Sequence, residues 1–303
     1  MNTETTARPL PATIPEYLAQ LRQALAGADP AMIQDALYDA EEYLRAEMAA
    51  QPGRSESEVI ADVAGSYGAP EEVADIYRET EVTVSRALRP PVPPKRRSWV
   101  GRFFGVAADP RTYGALFYLL LAVATGSFYF SWVVTGTALS LGLLILIIGI
   151  PLLVLFLGSV RVLSLVEGRI VEVLLGVRMP RRPTYVSHQE GWMARIGAMF
   201  SDARTWTTML YFLLMLPLGV FYSVLFTTLL SLSLGLVLSP LGVIFDHAFD
   251  INVGPWNLVS DAAWALPLVC AVGVLMLFAT LHLARGIGHV HGLIAKHLLV
   301  RAD

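Results

Sequence analysis

RTYGALFYLLLAVATGSFYFSWVV, Arg111 to Val134, decides the fold. From Tyr113 to Val134 it carries no charged residue. At a rise of about 1.5 Å per residue this run reaches about 30 Å, enough to cross the hydrocarbon of a bilayer as one helix. A second stretch, RTWTTMLYFLLMLPLGVFY, Arg204 to Tyr222, opens with the same Arg-Thr pair and the same aromatic-rich apolar texture.

Working outward from these two stretches, an offset of 93 residues aligns far more than the opening pair. Trp99 falls on Trp192, Arg102 on Arg195, Asp109 on Asp202, Tyr118 on Tyr211, Gly126 on Gly219 and Phe128-Tyr129 on Phe221-Tyr222. Thr135, Ser140, Gly142 and Gly149 fall on Thr228, Ser233, Gly235 and Gly242. Further on the offset becomes 124, where Arg161 meets Arg285 and Gly168 meets Gly292. The region is a tandem repeat, and its second copy carries an insertion of 124 − 93 = 31 residues. Each copy is predicted to hold a short amphipathic helix (Trp99–Ala107; Trp192–Phe200), a membrane helix, a tight outer turn, a return helix and an amphipathic exit helix. The predicted spans are Tyr113–Val134 and Leu139–Val160, then Trp206–Leu229 and Ala262–Ala284; Gly235–Phe245 is too short to cross and reads as re-entrant or interfacial.

Lysine and arginine orient the spans. Residues 86–102 hold six and 161–204 hold seven, whereas 135–140 and 228–262 hold none. Both termini and the central connection are therefore expected on the cytoplasmic side of a bacterial inner membrane. Both copies then enter from the same side, so the repeat is parallel, with its pseudo-two-fold axis along the membrane normal. The predicted fold class is all-α: a polytopic membrane protein with four transmembrane helices in two parallel tandem repeats, plus a small soluble N-terminal helical domain.

That N-terminal domain differs in charge from the rest. Residues 1–82 contain 16 acidic and 5 basic side chains, while the remainder contains 9 and 17, so a formal net charge of −3 hides an acidic head joined to a basic-flanked body. The mean hydropathy of +0.56 likewise averages two different parts. In the head, Ile14, Tyr17, Leu18, Leu21 and Leu25 recur at helical spacing. Asp29-Pro30 and Ser55-x-x-Glu58 are helix-start signals, and Gly53 and Gly68 are stops. The domains are read as 1–85 helical head, 86–98 Pro-rich basic linker, 99–182 first repeat and 183–303 second repeat with the outer insertion. The N-terminal residues lack the apolar core of a signal peptide, so the head is expected in the cytoplasm. A single cysteine, Cys270, excludes an intrachain disulfide or a cysteine zinc site.

Two stretches carry family resemblances. The run IPEYLAQLRQALAG…DALYDAEEYLRAEM…GRSESEVIADVAGSYGAPEEVADIYRE, residues 14 to 79, resembles the HAAS signalling domain, a bacterial helical module found beside PadR-type transcription regulators. FYLLLAVATGSFYFSWVVTGTALSLGLLILIIGIPLLVLFL, with the arginine that follows, resembles the bacterial membrane sensor domain of the kinase-associated type. That resemblance covers Arg111 to about Arg178, with a weaker echo to Arg301. It implies membrane signal reception and supplies no catalytic residues. Kinase and helix-turn-helix motifs are absent from the chain, so output is expected to pass through the head or a separate protein.

The candidate site residues follow from these parts. Asp246, His247, Asp250, Trp256 and Asp261 lie in the insertion; they read as a solvated loop, and as the first place to seek an outer-face ligand. Gly126, Phe128, Tyr129, Gly219, Phe221 and Tyr222 are duplicated and read as inter-repeat packing, or as the lining of a pocket on the pseudo-axis. Pro151, Pro217 and Pro267 interrupt apolar runs and read as kinks or hinges. Lys95, Arg96, Arg97 and Arg102 suit anionic lipid headgroups. Asp39, Glu41, Glu42 and Glu47 form an acidic face, either solvated or docking a basic partner. His282, His289, His291 and His297 read as interfacial histidines beside Arg285 and Lys296.

Function classes narrow accordingly. The head's negative charge excludes nucleic-acid binding. No GxSxG, HExxH or P-loop pattern appears, so no enzyme, cofactor or metal is expected. The spans carry almost no ionisable groups, which counts against transport. The expected function is a membrane signalling or sensor protein whose acidic head binds a cytoplasmic regulator, PadR-type or kinase. The alternatives are a small transporter or lipid-handling protein using the inter-repeat cleft, and a non-sensing scaffold.

Overall fold

The structure, a computed structural model, describes residues 11–88, 98–146, 149–180, 197, 200–241, 252–253, 256–257 and 263–300. It divides into two compact units, one containing the head and the other the apolar body.

The head is built from α1 (Ile14–Ala24), α2 (Pro30–Ala50), α3 (Glu56–Ser66) and α4 (Pro70–Leu88). Its start signals work as the sequence predicts. Thr13 and Asp29 accept hydrogen bonds from first-turn amides, and Ser55 with Glu58 forms a reciprocal capping box. Tyr17, Leu21, Leu25, Ala36, Leu44 and Ile60 are fully buried and make one apolar core. Polar ties close it: the Tyr17 hydroxyl donates to the Gly68 carbonyl at 2.7 Å, and the Ile14 amide donates to Glu56 at 2.7 Å. Gly68 holds φ of 116°, a left-handed conformation that glycine adopts without a Cβ penalty.

The body begins with α5 (Trp99–Phe104) and a 3₁₀ turn, Gly105–Ala108. Four long helices follow: α6 (Pro110–Gly142), α7 (Gly149–Leu175), α8 (Ala203–Leu238) and α9 (Leu266–Leu299). All four are long and apolar enough to cross a membrane. Their outward faces are apolar too, with Phe117, Leu155, Val173 and Leu268 exposed, as a lipid solvent requires. Between α8 and α9 lies a two-residue antiparallel ladder, β1 (Asn252–Val253) with β2 (Trp256–Asn257).

The centre of the body is the crossing of α6 with α8; α7 packs on α6 and α9 on α8. The crossing is set by a glycine pair. A Cβ on Gly126 would stand 2.4 Å from the Met215 carbonyl oxygen, and one on Gly219 would stand 2.3 Å from that of Ala122. Each glycine thus admits the other helix's backbone at the equivalent place, as small residues do in membrane bundles.

Several boundaries differ from the sequence reading. The first helix does not end near Val134: α6 runs on to Gly142, a 3₁₀ turn takes Leu143–Leu146, and the return helix starts at Gly149. Thr135–Ser140 contains Gly136, a weak helix former, but tertiary packing carries the helix through it: a Cβ at Gly136 would stand 2.2 Å from the Phe156 ring of α7. The exit helices are not separate elements either, because α7 and α9 continue unbroken past Arg161 and Arg285. Gly235–Leu238, expected in a re-entrant segment, is the last turn of α8.

Candidate functional site

Tyr118 and Tyr129 stand eleven residues apart on α6, about three helical turns, so both point to one side. Tyr211 and Tyr222 repeat that spacing on α8. All four rings are buried in the body. Between them lie Glu167 of α7 and His291 of α9, both with no solvent exposure. Every one of the four long helices therefore sends polar side chains to a single point.

The geometry is closely knit. Tyr118 donates to Glu167 Oε1 at 2.6 Å, Tyr211 to the same oxygen at 3.1 Å, and Tyr129 to Oε2 at 3.0 Å. The Tyr118 and Tyr211 hydroxyl oxygens are 3.2 Å apart. His291 Nε2 sits 2.9 Å from the first and 3.1 Å from the second, and its Nδ1 is 3.2 Å from the Tyr222 hydroxyl. With the imidazole proton on Nε2, each polar atom finds a partner. Three phenols donate to the carboxylate, Nε2–H donates to the paired phenol oxygens, and Tyr222 donates to Nδ1. Such a network is strong because an unpaired ionisable group buried among apolar helices is costly. Tyr129 is further held by stacking on Phe212 at 4.4 Å.

The cluster obeys the internal duplication. Tyr118 pairs with Tyr211 and Tyr129 with Tyr222 at the 93-residue offset, and the 124-residue offset places Glu167 on His291. The two copies thus differ at one equivalent position, an acid in the first and a base in the second. The two equivalent residues meet beside the contact between the paired phenols. Chemically the arrangement can hold a charge away from water, pass a proton along phenol and imidazole, and lock four helices together.

A family model called Sensor matches residues 118–299, a span that opens on Tyr118 and contains the whole cluster. The chain belongs to the Sensor family. A HAAS model matches residues 16–76 of the head, N-terminal to the Sensor body. No curated protein and no solved structure matches the chain.

The expected site residues fall differently on this Sensor body. Tyr129 and Tyr222 join the cluster, Gly126 and Gly219 form the crossing above, and Phe128 and Phe221 point outward. Pro217 lies inside α8, whereas Pro151 and Pro267 stand in the first turns of α7 and α9. The first turn has no intrahelical partner for the missing N–H, so those two prolines do not bend their helices as expected. Asp246, His247, Asp250 and Asp261 lie outside the described residues, as do Lys95, Arg96 and Arg97; Trp256 pairs with Val253 in the small ladder. Arg102 is exposed on α5.

On the head, Asp39 accepts from Tyr77 at 2.8 Å, Glu41 pairs with Arg45 at 2.9 Å, and Glu47 accepts from Gln51 at 3.2 Å; Glu42 is exposed. One expectation is overturned: His291 is buried, not interfacial. Glu167 and His291 lie beyond the predicted spans, in the parts of α7 and α9 read from the sequence as exit helices. Glu167 escaped notice because it sits in a charged-looking run, Val166-Glu167-Gly168-Arg169, that reads as solvent-exposed. The signal that finds it is the repeat itself, since the second offset aligns it with a histidine.

Proposed function

We propose that this Sensor chain is a bacterial inner-membrane signalling protein whose four-helix body detects a condition in or at the membrane and reports it through the head to a cytoplasmic regulator. The observation that carries this reading is the cluster around Glu167 and His291 on the repeat interface. Because all four helices share it, a shift of one helix breaks several hydrogen bonds at once. That favours two discrete arrangements over gradual deformation, as a switch needs. The HAAS-type head is the natural output, since HAAS domains are associated with regulatory partners. The lysine and arginine distribution supports a cytoplasmic head and cytoplasmic 178–195 connection. The protein is read as a non-enzyme.

The test joins capture with transcription. The full chain and a Glu167→Leu variant are purified from native membranes with their bound proteins, and transcripts are compared in deletion and variant strains. A shared regulator whose target genes change in both strains supports the reading. No specific partner, together with unchanged transcripts, overturns it.

A second reading draws on the same cluster. Intramembrane carboxylates and histidines recur in proton-linked transporters, so a small proton-coupled carrier is the competing function. Proton movement through the purified chain in liposomes, abolished by Glu167→Gln, favours that reading; tight vesicles favour signalling.

A further inference from the structure

A groove of about 710 Å³ lies between α5 with its 3₁₀ turn and the flank of α9. Its polar lining is Arg102, Asp109, His282 and Arg285, and its apolar lining includes Trp99 and Phe103. Two features make it a built site. The first is its scaffold: His282 Nε2 lies 3.0 Å from the Phe103 carbonyl oxygen, and its ring stacks on Phe103 with centroids 5.4 Å apart. Phe104 packs edge-on against Phe278 at 4.7 Å, so α5 is fastened to α9 by aromatic contacts. The second is its charge. Arg285 pairs with the buried Asp109 at 3.0 Å, which neutralises one cation. Arg102 has no ion-pair partner among the described residues, so the groove keeps a net positive charge.

Below the polar rim the flank of α9 is exposed and apolar at Leu268, Val272 and Leu275. Trp99 is 80% exposed at the rim, the placement of an interfacial anchor. A positive pocket above an apolar strip matches one kind of molecule, a phosphate ester carrying acyl chains. We propose that this groove binds the phosphodiester headgroup of an anionic membrane lipid, with Arg102 and Arg285 on the phosphate and the chains along α9. The other repeat has Arg195 and Arg161 at the equivalent positions but Gly158 in place of His282, so it lacks the histidine half of the scaffold. The proposal goes beyond the signalling reading and stands or falls without it, because lipid occupancy is measured with no partner present.

The test uses the full chain in detergent, with retained lipid counted by native mass spectrometry against added phosphatidylglycerol, phosphatidylcholine or inorganic phosphate. Phosphatidylglycerol should be held in preference to phosphatidylcholine. Arg102→Gln should weaken it about fivefold, while Arg111→Gln, an exposed arginine outside the groove, leaves it unchanged. Ala279→Phe fills the groove without altering charge and should also weaken retention, with melting temperature confirming that both groove variants fold. Equal retention of the two lipids, or equal losses in Arg102→Gln and Arg111→Gln, overturns the proposal. Displacement of the lipid by millimolar inorganic phosphate also overturns it, as it would assign the groove to a soluble anion.

Discussion

Among the described residues, Glu167 is surrounded by three donors and has no cation within hydrogen-bond reach. Its replacement is therefore read through the phenols it leaves behind. Glu167→Gln keeps the shape but turns an NH₂ donor toward hydroxyls that already donate, and it should cost about 1–3 kcal/mol. Glu167→Ala should cost more, and Tyr129→Phe, which removes one donor, about 1 kcal/mol. Thermal unfolding of the detergent-purified chain checks the order of the three. In the head, burial pushes the phenols of Tyr17 and Tyr77 well above their ordinary value of 10, and the hydrogen bond to Asp39 adds to the effect on Tyr77. A raised folded value means the folded state holds its protons where the unfolded chain begins to lose them. Stability is complete below pH 10 and falls as pH climbs beyond it. Residues 1–88 should melt at a clearly lower temperature at pH 11 than at pH 8 by circular dichroism, and the difference should shrink in Tyr77→Phe.

At the scale of the helices, the α6–α8 crossing rests on two glycines meeting backbone, so neither can accept a methyl group without a shift of the helix axis. Gly126→Ala and Gly219→Ala should each destabilise the body by about 1–3 kcal/mol, the usual range for overpacking. Gly286→Ala is the contrast, since a Cβ there meets nothing within 4 Å and helix propensity alone predicts a small gain. Melting curves of the three variants separate close approach from simple glycine content. The elements themselves were legible to different degrees. Apolar length announced four crossings, and Ser55 with Glu58 announced the start of α3. Helix ends were not legible: Gly136 reads as a turn between Val134 and Gly142, yet α6 continues through it, because in an apolar solvent the stop is decided by packing.

For the whole molecule, the duplication makes a sharp prediction. Glu167 and His291 occupy equivalent places, so exchanging them should rebuild the network in mirror order. Glu167→His and His291→Glu should each destabilise the chain, one by placing two imidazoles and the other two carboxylates among the phenols. The double variant should recover more than half of the summed loss in a double-mutant cycle. Additive losses would show that the two repeats are not interchangeable around their axis.

Sequence alone determined that this chain is a membrane protein, that its body is written twice, that an acidic helical head precedes it, and which families its two parts resemble. These properties are carried by composition, periodicity and self-similarity, all of which are local or repeated along one dimension. The site was decided only in three dimensions. Tyr118 reaches His291 across 173 residues, and Glu167 reads as a surface acid until α6, α7 and α8 close around it. Whether a polar residue is solvated or buried depends on what packs over it, and that is a property of helix crossings set by Gly126 and Gly219 rather than of the residue's neighbours in sequence.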